Sequence, residues 1–292
     1  MSPEVTVCIP TYNSAHFLPF TVESVMRQGL SDFEILVVDN ASTDKTEEVI
    51  MAMRNPRIRY VRNAVNIGSG ANHNRCLELA TGTYLKFVCA DDVLLDGLLQ
   101  KQLRILRDNQ NVVLVSCNMI VTDENLVPQQ NVTFFPGNAA GSRVVTACLS
   151  GMNNFIGGPT NVMLRRSAAE GVRFDLRYKW VTDLKFWLDY LRFGDYANID
   201  ELGYSYRRHA NTDTQASAPH AIRTAEFMSL VEDFQAWNPI NAVQAIRRAR
   251  GMGFRKSFPH LLQMLSNSNP SVLASALRDV ADMRNRNALT SL

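Results

Sequence analysis

Four short β-branched runs, at residues 5–9 ("VTVCI"), 34–39 ("EILVVD"), 58–61 ("IRYV") and 84–88 ("YLKFV"), constrain this chain more than any single residue does. Between them lie stretches of helical period near 16–28, 45–53 and 70–80. These runs read as buried strands. Strands of that kind, alternating with helices, predict an α/β domain with a mostly parallel central sheet flanked by helices. A helix near 94–108 and a further strand over 112–117 extend the pattern before a Pro/Gly/Asn-rich stretch, "VPQQNVTFFPGNAAG". In "DLKFWLDYL", Leu184, Trp187, Leu188 and Leu191 fall at i, i+3, i+4 and i+7, a stripe that predicts core packing. With 292 residues, 46% of them hydrophobic, the chain suits one large domain with an appendage. The break falls at the small, polar "NTDTQASAP", which divides an α/β domain over 1–210 from an α-helical extension over 211–292. In that extension Phe227, Leu230, Val231 and Phe234 share one helical face.

Two of the predicted strands end on carboxylates: Asp39, and the adjacent pair Asp91–Asp92 in "FVCADDVLL". Ligands of open α/β sheets bind beyond the carboxyl ends of the strands. Negative charge converging there is costly unless a cation or hydrogen-bond donors offset it. A hard divalent ion, Mn²⁺ or Mg²⁺, suits such oxygen ligands and bridges phosphate oxygens. Asp39 is placed to accept hydrogen bonds from a base or ribose. The structural alternative for Asp91–Asp92 is an N-cap on the helix that follows. Asp44, with Glu47 three residues later, fits a capping box.

The order of four segments adds a stronger constraint. "VCIPTYN" (7–13), "EILVVDNASTDKT" (34–46), "NIGSGANHN" (66–74) and "GTYLKFVCADD" (82–92) follow one another as they do in family 2 glycosyltransferases, which the chain resembles over residues 4–210. The resemblance implies the GT-A fold and an inverting, non-processive transfer of one sugar from a nucleotide-diphosphate donor, with a bias toward UDP-sugars. It places Pro10, Thr11, Tyr12 and Asn13 at the first nucleotide-contacting turn, Tyr12 against the base. Asp39 matches the base-reading carboxylate, and Asn66, Gly68 and His73 lie on the diphosphate-side segment. Asp91 matches the last Asp of the Asp-x-Asp metal motif, and Asp92 follows it. Asp183 matches the catalytic base. "YSYRRH" resembles the closing Tyr-Arg-x-His segment, which implies phosphate contact for Arg207 and phosphate or metal contact for His209. "FIGGPTNVMLRRS" resembles the acceptor-side loop, where Gly157 and Gly158 permit close approach of a sugar and Trp180 could stack on one. The implied acceptor is a glycan or lipid-linked saccharide in surface polysaccharide synthesis. Cys89 stands where the first Asp of Asp-x-Asp usually sits, His73 where Arg is more frequent, and Cys76 where Gly is frequent. Those departures motivate a second reading, a degenerated transferase scaffold that only binds. The retained Asp39, Asp91 and Asp183 favour catalysis.

Other classes are set aside on composition and spacing. A net charge of +2 gives no electrostatic footprint for nucleic acid. The five cysteines show no Cys-x-x-Cys spacing, which predicts a reducing, cytoplasmic location. "MSPEVTVCIP" carries no signal-peptide pattern, and no apolar run approaches the ~20 residues that span a bilayer. A dinucleotide fingerprint would place its third glycine at position 73, which is His. The Gln-x-x-Arg-Trp motif of processive synthases is missing from the sequence. Residues 240–292 carry eight Lys/Arg against Asp279 and Asp282. Such basic helices either lie on anionic lipid of the inner leaflet, or form a helical cap or homo-oligomer surface.

Overall fold

A computed structural model describes residues 2–210, 220–235 and 237. The basic tail invoked for membrane or oligomer contact therefore lies outside the described residues. The chain divides into two compact units, of which the larger runs to Val145 and resumes at Asn154; every site residue belongs to it.

The four sequence-predicted runs form β1 (Val5–Thr11), β2 (Phe33–Asp39), β3 (Ile58–Arg62) and β4 (Tyr84–Phe87). Helices α1 (Leu18–Met26), α2 (Thr46–Ala52) and α3 (Ser69–Leu79) lie between them in sequence. Burial explains the composition of the central strands: Val5, Val7 and Ile9 in β1 and Ile35–Val38 in β2 are inaccessible to solvent. After β4 come β5 (Val93–Leu94), α4 (Leu98–Asp108), β6 (Val112–Thr122), β7 (Pro128–Val132), α5 (Gly141–Gly151), β8 (Met163–Arg165), α6 (Thr182–Tyr190), β9 (Asp195–Arg207) and α7 (His220–Gln235). The sheet runs β3-β2-β1-β4-β8-β6-β9-β5, with β7 paired to β6. Pairing is parallel from β3 to β4 and again between β6 and β9, and antiparallel where β8, β7 and β5 join.

Register positions the site. Thr11 pairs with Asp39, and Asp39 with Arg62, so the carboxyl ends of three strands align. The chain moves from β1 outward to β3 and then returns to the other side of β1 as β4. That reversal makes a switch point at the carboxyl ends of β1 and β4, the crevice where open α/β sheets bind ligands.

Asp91 and Asp92 do not cap a helix. They sit in the turn between β4 and β5, and α4 begins only at Leu98, after Gly97 in a left-handed conformation (φ 79°). Asp44 also differs from the capping-box expectation. Its carboxylate accepts from the backbone N–H and hydroxyl of Thr46 and from the N–H of Ala15, tying the start of α2 to the β1–α1 loop. The predicted stripe of α6 is buried throughout, at Leu184, Trp187 and Leu188 and just beyond the helix at Leu191. At about 1.5–3 kcal/mol for each large apolar side chain removed from water, these contacts anchor the N-terminus of α6 where Asp183 sits. Phe227, Leu230, Val231 and Phe234 are buried on α7, as their spacing predicts.

Candidate active site

The β1–α1 and β2–α2 loops build one wall. Asn13, held at φ 49°, accepts through Oδ1 from the Thr43 N–H (2.7 Å), and its own N–H donates to Ser42 Oγ (2.8 Å). Its side chain thus braces one loop against the other. Tyr12 beside it is 46% exposed, an open aromatic face at the end of β1. Pro10 and Thr11 are strand residues, with the Thr11 hydroxyl donating to Ile9 O (3.1 Å). Asp39 ends β2 with no exposed surface. Its Oδ1 accepts from the N–H and hydroxyl of Ser42, and its Oδ2 from Tyr60 Oη (2.6 Å) and Arg62 Nη1 (2.8 Å).

Four asparagines shape the neighbouring turn. Asn40 Nδ2 donates to Asn66 Oδ1, which also accepts the Gly68 N–H; Asn63 Nδ2 donates to both Asn40 Oδ1 and Asn72 Oδ1. Gly68, at φ 87°, then opens α3, and a Cβ there would meet empty space. Asn66 therefore supports the Gly68 turn. His73 Nδ1 lies 2.9 Å from Ser69 O, and its ring packs against Phe87 and Phe174.

The carboxylate pair divides its labour. Asp91 stays partly exposed and lies 3.0 Å from His209 Nε2. Asp92 is buried: its Oδ1 accepts the Arg207 N–H (3.2 Å) and its Oδ2 the Thr160 hydroxyl (2.5 Å). Burial, and after it the neighbouring Asp91 charge, pushes the Asp92 carboxyl well above the usual carboxylate range. Thr160 in turn accepts the Cys89 N–H (2.9 Å), and its carbonyl accepts from the fully buried Lys86 Nζ (2.6 Å). Arg207 is 3% exposed, its guanidinium 4.7 Å from the Phe17 ring and 5.5 Å from Phe20. Nη1 donates to Glu124 O (3.0 Å), whereas Nε and Nη2 are buried with no hydrogen-bond partner. A buried guanidinium with unpaired donors is costly and calls for an anion.

Among the described residues, Cys89, Asp91 and Asp92 bring ligand atoms within 4.8 Å of one another. The donor chemistry fits a divalent ion with Asp91, a partly exposed carboxylate, as its anchor, and His209, whose Nε2 faces that carboxylate, sits beside the site. A carboxylate oxygen suits Mg²⁺ or Mn²⁺. Asp92 is already engaged by Thr160 and Arg207, and it holds the turn in shape.

Asp183 lies in the first turn of α6. Oδ1 accepts the Leu184 N–H (2.7 Å) and Oδ2 accepts from Asn154 Nδ2 (3.3 Å). The carboxyl keeps a little solvent contact, yet protein atoms crowd it closely enough that burial pushes its pKa up to about 6. Asn154 also opens the segment that leads to the carboxylate pair. Its Oδ1 accepts the N–H groups of Ile156 and Gly157, while Gly157 O accepts from Trp187 Nε1 (3.0 Å). Thr160, six residues beyond Asn154, bonds Asp92, so one short loop touches Asp183 at one end and the Asp91–Asp92 turn at the other. Gly157 sits at φ 103°, and a Cβ there would fall 2.2 Å from Asn161 Nδ2; a Cβ at Gly158 would meet open space. Trp180 is partly buried in the turn before α6. Asn154, Thr160 and Phe17 went unread in the sequence. Only the polar cluster "NNFIGGPTN" and the aromatic "HFLPF" hinted at them.

Comparison with known proteins identifies the family and the fold. Residues 6–173 match the model of glycosyl transferase family 2, and the chain belongs to that family. It is 36% identical over 198 residues to the uncharacterized protein MT1568 of Mycobacterium tuberculosis, covering 64% of this chain and 61% of the relative. It is 26% identical over 136 residues to the UDP-Glc:alpha-D-GlcNAc-diphosphoundecaprenol beta-1,3-glucosyltransferase WfgD of Escherichia coli, covering 44% and 53% respectively. The chain thus spans little more than half the length of these relatives. The crystal structure of S. aureus TarS 1-349 in complex with UDP-GlcNAc superposes with a TM-score of 0.63 at 17% identity, over 91% of this chain and 80% of that one. The fold is GT-A, as the ordered motifs implied.

Proposed function

We propose that the chain is an inverting, metal-dependent glycosyltransferase that moves one sugar from a nucleotide-diphosphate donor, with UDP-sugars favoured, to a hydroxyl of a saccharide or lipid-linked acceptor. The observation that carries this reading is Asp183, a carboxylate whose pKa of about 6 suits a general base near neutral pH, joined by one loop to the Asp91–Asp92 turn. The acceptor oxygen bonds to the anomeric carbon as the bond from that carbon to the diphosphate oxygen breaks. The acceptor proton passes to Asp183, and the nucleoside diphosphate departs with the electron pair. Arg207 supports the departing phosphates through its two unpartnered N–H groups, and Tyr12 offers a face for the base. Gly158, with open space at its Cα, leaves room for the acceptor, and Trp180 flanks it on the Asp183 side in sequence. Asp91, with His209 beside it, would hold a divalent ion, which would supply Lewis-acid stabilisation of the charge that develops on the leaving group. The E. coli relative's name specifies UDP-Glc and a diphosphoundecaprenol acceptor, and the TarS crystal contains UDP-GlcNAc; both favour a uridine donor here, and the first a lipid-linked acceptor. Among the described residues no helix is long and apolar enough to cross a membrane.

The test is thermal stability with UDP, GDP, dTDP and CDP, each with Mn²⁺, Mg²⁺ or EDTA, for wild type and Asp91→Ala. At 100 times its dissociation constant a ligand adds about 2.7 kcal/mol. UDP is expected to stabilise wild type only when metal is present, with the effect lost in Asp91→Ala. Absence of stabilisation by all four nucleotides would leave the binding-only scaffold as the better reading.

A further inference from the structure

Asp39 poses a problem for any nucleotide that must reach it. Its carboxylate has no exposed surface, and each oxygen already accepts two hydrogen bonds, from Ser42 on Oδ1 and from Tyr60 and Arg62 on Oδ2. A carboxylate offers about four lone-pair sites. A base N–H cannot bond Asp39 until one of these donors leaves.

The four donors differ in their freedom to do so. Both Ser42 bonds come from one buried residue in the β2–α2 loop. Tyr60 packs against the hydrophobic core, so its hydroxyl is held from behind. Arg62 alone is substantially exposed, at 39% of its side chain, and it terminates β3 directly beside Asp39 in register. Its Nη1 also lies 3.9 Å from Glu47 Oε2, and Glu47 is itself 54% exposed on α2. Its Nη2 donates to Ser42 O (2.9 Å), which lies on the same side. Glu47 is thus an alternative acid a short rotation away, so Arg62 can release Asp39 without losing an ionic partner.

We propose that Arg62 occupies the base-reading position on Asp39 in the nucleotide-free protein, and that an incoming base displaces it toward Glu47. This rests on the glycosyltransferase reading above. Arg62 is then a positioning residue. While the site is empty it satisfies the buried carboxylate, and when the site fills it yields Oδ2 to the ring N–H of a uracil-type base. A base lacking a donor at that position gains nothing from the exchange, which couples opening of the site to the identity of the base.

The experiment measures UDP affinity by calorimetry with Mn²⁺ for wild type, Arg62→Met and Glu47→Gln, with 3-methyl-UDP, which lacks the ring N–H, as control. Arg62→Met is expected to bind UDP about five-fold more tightly, the worth of one hydrogen bond to a half-exposed charge that no longer has to be exchanged. It should leave 3-methyl-UDP unchanged. Glu47→Gln is expected to weaken UDP binding by a few-fold. A gain of affinity is not what damage to the fold produces, so the result separates positioning from structural support. Equal UDP affinity in wild type and Arg62→Met would overturn the displacement, and weaker binding would make Arg62 a direct ligand contact instead. If wild type and Arg62→Met bind neither nucleotide, the donor-binding reading itself fails.

Discussion

Replacing Asp183 with Asn should make the protein more stable at neutral pH while removing turnover. The folded environment raises the Asp183 pKa from 3.8 to about 6, with burial as the cause. At about 1.36 kcal/mol per pKa unit, keeping this carboxylate ionised costs the folded state at most about 3 kcal/mol. Its remaining solvent contact trims that to about 2 kcal/mol. Asn at 183 can still accept the Leu184 N–H. Its amide nitrogen would, however, face Asn154 Nδ2, and Asn154 cannot turn over because its Oδ1 holds the Ile156 and Gly157 N–H groups. That mismatch returns about 1 kcal/mol. A net gain of about 1 kcal/mol remains, or about 2–4 °C in melting temperature for a chain of about this size. The pH dependence is the sharper signature. A carboxyl whose folded pKa lies above its unfolded value contributes its full stability below pH ~4 and loses it as pH rises toward ~6. The melting-temperature difference between Asp183→Asn and wild type should therefore grow from pH 4 to pH 6 and then level off. Calorimetric scans from pH 4 to pH 8 measure it. Sugar transfer by wild type should fall on the acid side of pH ~6, where the base is protonated. A difference that does not vary with pH would refute the claim that Asp183 carries a burial penalty, and an active Asp183→Asn enzyme would refute its role as base.

Two glycines that are adjacent in sequence should respond differently. Gly157→Ala forces a left-handed backbone and a Cβ contact of 2.2 Å on a buried Asn161 amide, so a loss of about 2–4 kcal/mol in denaturant melts is expected. Gly158→Ala meets open space and should leave stability within about 0.5 kcal/mol; an accompanying rise in the acceptor KM would locate the acceptor beside it. For the basic segment beyond residue 240, sedimentation with anionic vesicles should retain the full chain and release a 1–239 truncation. Equal binding by the two would remove the membrane proposal.

Legibility from sequence followed the physics of each element. The strands β1, β2 and β4 were readable because both of their faces are buried, which favours largely apolar runs, whereas β3, only partly buried at the sheet edge, was readable from its β-branched and aromatic residues. β7 was not, since its residues are almost all exposed and "PQQNV" carries no alternation. The long β9 was hidden by the polar "DEL" in "DYANIDELGYSYR", where its pairing with β6 shifts register and the side chains turn outward. The helix expected from residue 94 starts at Leu98, because Val93 and Leu94 pair with β9 first. Asp91–Asp92 were legible as a pair, but their different roles were not. Burial of one and exposure of the other depend on Thr160 and Arg207, which lie about 70 and 115 positions away in sequence.

The sequence by itself determined the parallel α/β half of the sheet, the carboxylates at its mouth and the family, because hydrophobic period and ordered motifs are local properties of a chain. Tertiary structure alone decided that Asp39 is sealed by Tyr60 and Arg62, that Arg207 holds two unpaired donors between Phe17 and Phe20, and that Asp183 titrates near 6. Each of these depends on which groups are brought beside a charge and how much water is kept from it. Those quantities arise from contacts between distant parts of the chain, and no local pattern encodes them.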